Sequence, residues 1–162
     1  MNHRLHYTTL ALILLSSGFL WAQPMGQNVA QMKFGNVPAV PTCAVASVQS
    51  GDPMKGTFII LIKVPDKCSI PWHWHTANES LMIVSGTAHV DVKDAKSLTL
   101  ESGGFAMMPA HHVHQFRCTS CKFYLSSDGA FDIHYVDAKG TELSPDDALK
   151  GLKEKAAKPP AS

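Results

Sequence analysis

Pro71-Trp72-His73-Trp74-His75-Thr76-Ala77-Asn78-Glu79, followed by Gly86, is the stretch that decides how the rest of this chain is read. Along an extended strand successive side chains alternate between faces. His73 and His75 therefore point one way, and Trp72 and Trp74 the other. Two imidazoles on one face can converge on a single cation, and Glu79 adds an anionic oxygen. Nitrogen and oxygen donors together suit a first-row divalent metal: Mn, Fe, Ni, Cu or Zn. A fourth donor must come from a distant strand. Pro109-Ala110-His111-His112-Val113-His114 offers it. A turn at Pro109 leads into a strand opening with His114, and that strand completes a three-His, one-Glu set if it lies beside the first.

Outward from this stretch the chain reads as many short strands. Thr57 to Val64 (TFIILIKV) is β-branched and apolar, which predicts a buried strand ended by Pro65-Asp66. Ser69 to His75 and Glu79 to Ser85 follow. Ser85-Gly86 reads as a turn into Thr87 to Val92, where Ala88, Val90 and Val92 share one face. Lys96 to Leu100, Phe105 to Met108, His114 to Cys118, Lys122 to Leu125 and Phe131 to Val136 complete the set. Short strands separated by turn signals argue for an all-β barrel or sandwich. One helix closes the chain, with Ser144 as N-cap, Pro145 at the first helical position and acidic Asp146 and Asp147 after it.

The ends differ from this body. Met1 to Thr9 carries Arg4 and no acid, Leu10 to Leu20 is mostly apolar, and small Ala22 precedes Gln23-Pro24. That is the plan of a cleavable secretory signal over residues 1–22. The apolar run falls short of the roughly 20 residues a bilayer requires. The expected location is periplasmic or secreted, with no membrane attachment after cleavage. Residues 23–56 read as an extended N-terminal arm, 57–137 as the barrel, and 138–162 as the helix and tail.

Export governs how the four cysteines are read, because an even number in an oxidising compartment favours disulfides. Cys118-Thr119-Ser120-Cys121 reads as a tight turn between two strands, its cysteines close enough to bridge. Cys43 then pairs with Cys68. A redox-active or zinc-binding C-x-x-C is the alternative. Formal net charge is +1, and outside the leader 13 basic residues meet 13 acidic ones. No basic block or basic aromatic stripe appears, so nucleic acid is not an expected partner.

The motifs resemble those of the cupin superfamily, small β-barrels built from two sequence signatures. The first, G-x5-H-x-H-x3-E-x6-G, is met by His73, His75, Glu79 and Gly86, with Lys67 in place of the leading glycine. The second, G-x5-P-x-G-x2-H-x3-N, is met by Gly103, Pro109 and His114, with His111 for the middle glycine and Cys118 for the asparagine. Histidine tolerates left-handed backbone better than most residues, so that turn can survive. The resemblance spans about Thr57 to Val136. It implies a double-stranded β-helix (jelly-roll) barrel with a short C-terminal helix, and one divalent metal, Mn or Fe before Ni, Cu or Zn, on His73, His75, Glu79 and His114.

Fold alone does not fix function, and this superfamily includes dioxygenases, isomerases, decarboxylases, sugar-binding regulators and storage proteins. The resemblance implies metal-dependent chemistry, oxygenase- or isomerase-like, on a small molecule, with Glu79 able to serve as base. A non-catalytic metal- or ligand-binding module is the second reading. A structural protein whose arm mediates dimers is the third, and a homodimer paired through sheet edges is expected under all of them. Trp72 and Trp74 are expected to pack between sheets, Met82, Met107 and Met108 to fill the core, and Phe105, Met107 and Phe116 to line the cavity. His89 and His134 are read as exposed, and His111 and His112 as loop residues.

Overall fold

The computed structural model describes residues 25–157, and these divide between two compact units, Met1–Gln31 and Met32–Ser162. In the first, Val29–Gln31 forms one turn of 3-10 helix, in which the Gln31 side chain accepts the Asn28 N–H at 2.8 Å. The leader over residues 1–22 lies outside the described residues.

The second unit is an antiparallel β-structure. Its strands are β1 (Gly35–Asn36), β2 (Val45–Gly51), β3 (Phe58–Val64), β4 (Ser69–Trp74), β5 (Glu79–Val92), β6 (Leu98–Leu100), β7 (Phe105–Met108), β8 (His114–Ser127), β9 (His134–Val136) and β10 (Glu142–Leu143). One helix, α1 (Pro145–Ala157), follows. Ser144 caps it as expected, its hydroxyl accepting the Asp147 N–H at 3.1 Å.

Two long strands, β5 and β8, pair along their whole length from Glu79↔Ser127 to Val92↔His114. The N-terminal half of β5 carries β7 on its other edge, and the C-terminal half carries β6. Likewise β8 gives its first half to β4 and its second half to β3. One group of strands thus runs β1-β2-β3-β8-β5-β7, and the other β10-β9-β4-β8-β5-β6, with β5 and β8 common to both. This is the jelly-roll barrel.

The bend between the halves is written in the sequence as a change of parity. On β5 the buried residues are Leu81 and Ile83, then Ala88 and Val90. On β8 they are Phe116 and Cys118, then Cys121, Phe123 and Leu125. Each switch marks residues out of register, a bulge that lets both halves keep their apolar side inward while the strand turns. Gly86 sits at the β5 switch with φ +82°. A Cβ there would lie 2.5 Å from the Ser120 carbonyl oxygen and 2.8 Å from that of Thr119, so only glycine permits the crossing.

These observations correct two expectations. Ser85-Gly86 is not a hairpin turn, and Cys118 to Cys121 is not a turn between strands. Both are bulges inside 14-residue strands. The disulfides are nevertheless those expected, Cys43–Cys68 and Cys118–Cys121, with Cα separations of 5.9 and 5.8 Å. Part of the stretch read as an arm belongs to the sheet, since Val45–Gly51 pairs along β3. The strand expected from Phe131 is shorter, beginning at His134, and Phe131 and Ile133 before it line the cavity.

Packing explains the remaining departures. Met108 is buried, but Met82, Met107 and Phe105 lie on the outer face of the β5–β7 pair and are exposed. Only Phe116 of the three expected cavity residues lines the cavity. Trp74 does face away from the histidines, yet it stacks on the His134 ring at 3.9 Å with 6° between planes, and His111 lies 4.8 Å from it. His134 and His89 are half-buried rather than exposed, whereas His111 and His112 are exposed loop residues.

Candidate metal centre

His73 lies on β4 opposite His114, the first residue of β8, and His75 follows the end of β4. Glu79 is the first residue of β5. All four are buried. On the β5–β8 ladder Glu79 and His114 stand near opposite ends, and the bend at the bulges brings both to His75. Donor atoms of His73, His75 and His114 all lie within 4.8 Å of one another. Glu79 flanks this cluster, with its Oε2 3.3 Å from His75 Nε2.

Every one of the three rings is oriented in the same way. His73 Nδ1 meets the Pro71 carbonyl at 2.6 Å, His75 Nδ1 that of Asp132 at 2.5 Å, and His114 Nδ1 that of His112 at 2.9 Å. A carbonyl oxygen can only accept, so each Nδ1 carries its proton and donates. Each Nε2 is then left with a free lone pair. Outer hydrogen bonds of this kind fix ring orientation and tautomer in metal sites.

Burial sets the charges. It holds His73 well below the usual imidazole range, aided by the neighbouring His114 and His75. It lowers His75 to about 4 against the opposing Asp132 carbonyl, and lowers His114 as well. Glu79 is pushed up to about 8, by burial first and then by the charge of Asp132. At neutral pH the protein alone therefore has three neutral imidazoles beside a protonated carboxyl, so the His75–Glu79 contact is not an ion pair. The donor set fits a divalent cation: three neutral nitrogen lone pairs, plus a carboxyl that a cation would ionise.

The loop between His75 and Glu79 is pinned from outside by residues that the motif did not flag. Asp132 accepts the Thr76 N–H at 3.0 Å and the Thr76 hydroxyl at 2.5 Å. Its carboxyl is lowered because these bonds outweigh the opposing effect of burial. Asp128 accepts the Asn78 N–H at 2.9 Å and its side-chain N–H at 2.6 Å. Asn78 Oδ1 in turn accepts the Ala110 N–H at 2.9 Å, and the His75 carbonyl accepts the His111 N–H at 2.8 Å. Where the motifs expect glycine, Lys67 and His111 adopt φ of 64° and 63°, so both substituted turns keep the left-handed backbone.

The centre ends a cavity of about 50 Å³ with otherwise apolar walls, including Ile60, Ile62, Leu81, Val90, Phe123 and Leu125. Val37, Val40, Phe131 and Ile133 also line it. Such a space admits a few waters or a small chemical group.

A two-sheet roll with three inward imidazoles at one end defines a double-stranded β-helix with a candidate metal centre. The sequence family described as Cupin domain matches residues 60–127, and the chain has the cupin fold. No curated protein matches the sequence. Among solved structures, the polyketide cyclase RemF of Streptomyces resistomycificus superposes with TM-score 0.64 at 15% identity, covering 80% of this chain and 93% of its own. A provisionally assigned acetylacetone dioxygenase of Methylibium petroleiphilum gives TM-score 0.56 at 17% identity, covering 82% and 98%. An RmlC-like cupin of Shewanella frigidimarina gives 0.54 at 15%, covering 67% and 93%. At these identities the likeness is one of fold.

Proposed function

We propose that this chain is an exported cupin that binds one divalent metal through His73, His75, Glu79 and His114 and uses it in chemistry on a small molecule. The observation that carries the reading is the common orientation of the three rings, each Nδ1 bonded to a carbonyl and each Nε2 left as a donor. A six-coordinate Mn or Fe ion held by four protein groups would supply Lewis acidity or dioxygen activation at its remaining positions. Glu79, ionised while it holds the cation, is the residue placed to take up a proton on releasing it, because it is buried beside His75. Apolar walls exclude water from the reacting group. Similarity in fold to a polyketide cyclase and to a provisionally assigned acetylacetone dioxygenase favours small oxygen-bearing substrates.

The test begins with metal content of the purified chain, then oxygen uptake over diketones, catechols and thiols. Turnover that His75→Ala abolishes supports the enzyme. Saturable binding without product across the panel would instead favour a binding module. Export is tested separately: a mature N-terminus at Gln23 in the periplasmic or secreted fraction is expected, and an intact Met1 there would contradict a cleaved signal.

A further inference from the structure

Outside the metal-centre cavity lies a second hollow of about 430 Å³. Gly35 to Ala39, Ala46, Val48, Met54 and Phe58 surround it. Four residues, Val37, Ile60, Phe131 and Ile133, line both spaces, so the partition between them is one side chain thick. Phe131 is its centre: its ring lies 5.9 Å from that of His75 on one side and edge-on to Phe58 at 6.4 Å on the other. The chain carrying Phe131 and Ile133 is irregular rather than strand. Neither residue takes part in sheet pairing, and the Phe131 N–H donates to the Pro53 carbonyl at 2.7 Å.

The volumes divide the work. Pockets that bury whole organic ligands run to roughly 300–1,000 Å³. The inner cavity is far below that range, and the outer hollow lies within it. Asn36 and Asp132 are the polar side chains of the outer lining, and no Lys, Arg or His is among its residues. The Asp132 carboxylate is already engaged by Thr76. An anionic group would meet no counter-charge there, whereas an alkyl or aryl group would meet apolar walls.

We propose that this outer hollow receives an uncharged alkyl or aryl tail of the same small molecule whose oxygen-bearing head reaches the histidine centre past Phe131. The inference rests on the metal-centred reading for its head group, but the tail site is testable by itself. Calorimetry on the Mn-loaded protein under nitrogen, with pentane-2,4-dione and its homologues lengthened to dodecane-2,4-dione, reads tail and head separately. Affinity is expected to rise about three- to fourfold per added methylene once the tail passes Phe131. Met54→Asp and Val48→Asp, at exposed positions that line only the outer hollow, are expected to flatten that dependence and leave pentane-2,4-dione binding unchanged. Affinity independent of length, or a dependence that survives both substitutions, would overturn the proposal. If pentane-2,4-dione itself does not bind, the metal-centred reading fails, and 1-octanol added to the metal-free protein decides the tail site. Saturable shifts of the Met54 and Val48 methyl resonances would support it, and unmoved resonances would overturn it.

Discussion

The bend in the middle of the β5–β8 ladder and the histidine cluster, to which the two ends of that ladder bring Glu79 and His114, solve opposite problems. Where the strands bend, at Gly86 and Ser120, backbone meets backbone and the neighbours are apolar: Ile83, Ala88, Phe123 and the Cys118–Cys121 disulfide. At the histidine cluster four polar side chains are buried instead; carbonyls orient the three rings, and Asp132 and Asp128 pin the loop between His75 and Glu79. The bend demands one residue type at one position. The histidine cluster demands a chain of partners, several of them far away in sequence. The bend is set by sterics, whereas the histidine cluster is set by hydrogen bonding.

The largest effect is expected where the two long strands cross. Gly86→Val places a side chain against the Ser120 and Thr119 carbonyls in a left-handed conformation. It should cost about 3 kcal/mol or more, read as a fall in urea midpoint or as failure to fold. At the histidine cluster, His114→Ala should fold but lose metal affinity by more than about 100-fold, measured by elemental analysis after dialysis. A collapse of stability in His114→Ala comparable to that of Gly86→Val would erase the distinction between the two regions.

Acidity sharpens the same contrast. Between its ordinary pKa of 4.5 and about 8, Glu79 keeps a proton in the folded metal-free protein that the unfolded chain has released. Its contribution to metal-free stability is therefore most favourable below 4.5 and declines as pH rises through 8. A cation must displace that proton, so metal affinity should rise about tenfold per pH unit from 6 to 8 and level off above 8. Free Mn measured by electron paramagnetic resonance reads this directly, and Glu79→Gln should flatten the curve. His75, lowered to about 4, stays neutral across that window and adds no slope.

Smaller effects follow from the loop. Asn78→Ala, which breaks bonds to Asp128 and Ala110, should weaken metal binding about tenfold with all four donors present. Ser144→Ala should cost about 1 kcal/mol confined to α1, seen as lost helicity by circular dichroism, with metal affinity unchanged.

What could be read from the sequence follows the same division. The period-two placement of His73 and His75 and the Pro109–His114 segment pointed to the three histidines that cluster, and the spacing to Glu79 to the carboxyl beside His75. Ser144 and the cysteine pairs were legible because their partners are local or few. The long strands were not, because Gly86 and Cys118 to Cys121 carry the composition of turns. Only the parity change, from Leu81 and Ile83 to Ala88 and Val90, distinguishes a bulge from a hairpin. Asp128 and Asp132 escaped notice because they bind backbone and side chains of a loop about fifty residues earlier, and such pairing leaves no local pattern. Met82, Met107 and Phe105 were misplaced for the related reason that an alternating apolar strand does not say which of its faces is covered.

Three imidazoles are proposed to bind a single cation through Nε2, with Glu79 beside them. X-ray absorption on the Mn- or Fe-loaded protein tests this most directly. One ion per chain is expected, with outer-shell scattering from three imidazole rings, falling to two in His114→Ala. An ion bound with no imidazole scattering, or a spectrum that His114→Ala leaves unchanged, would contradict it.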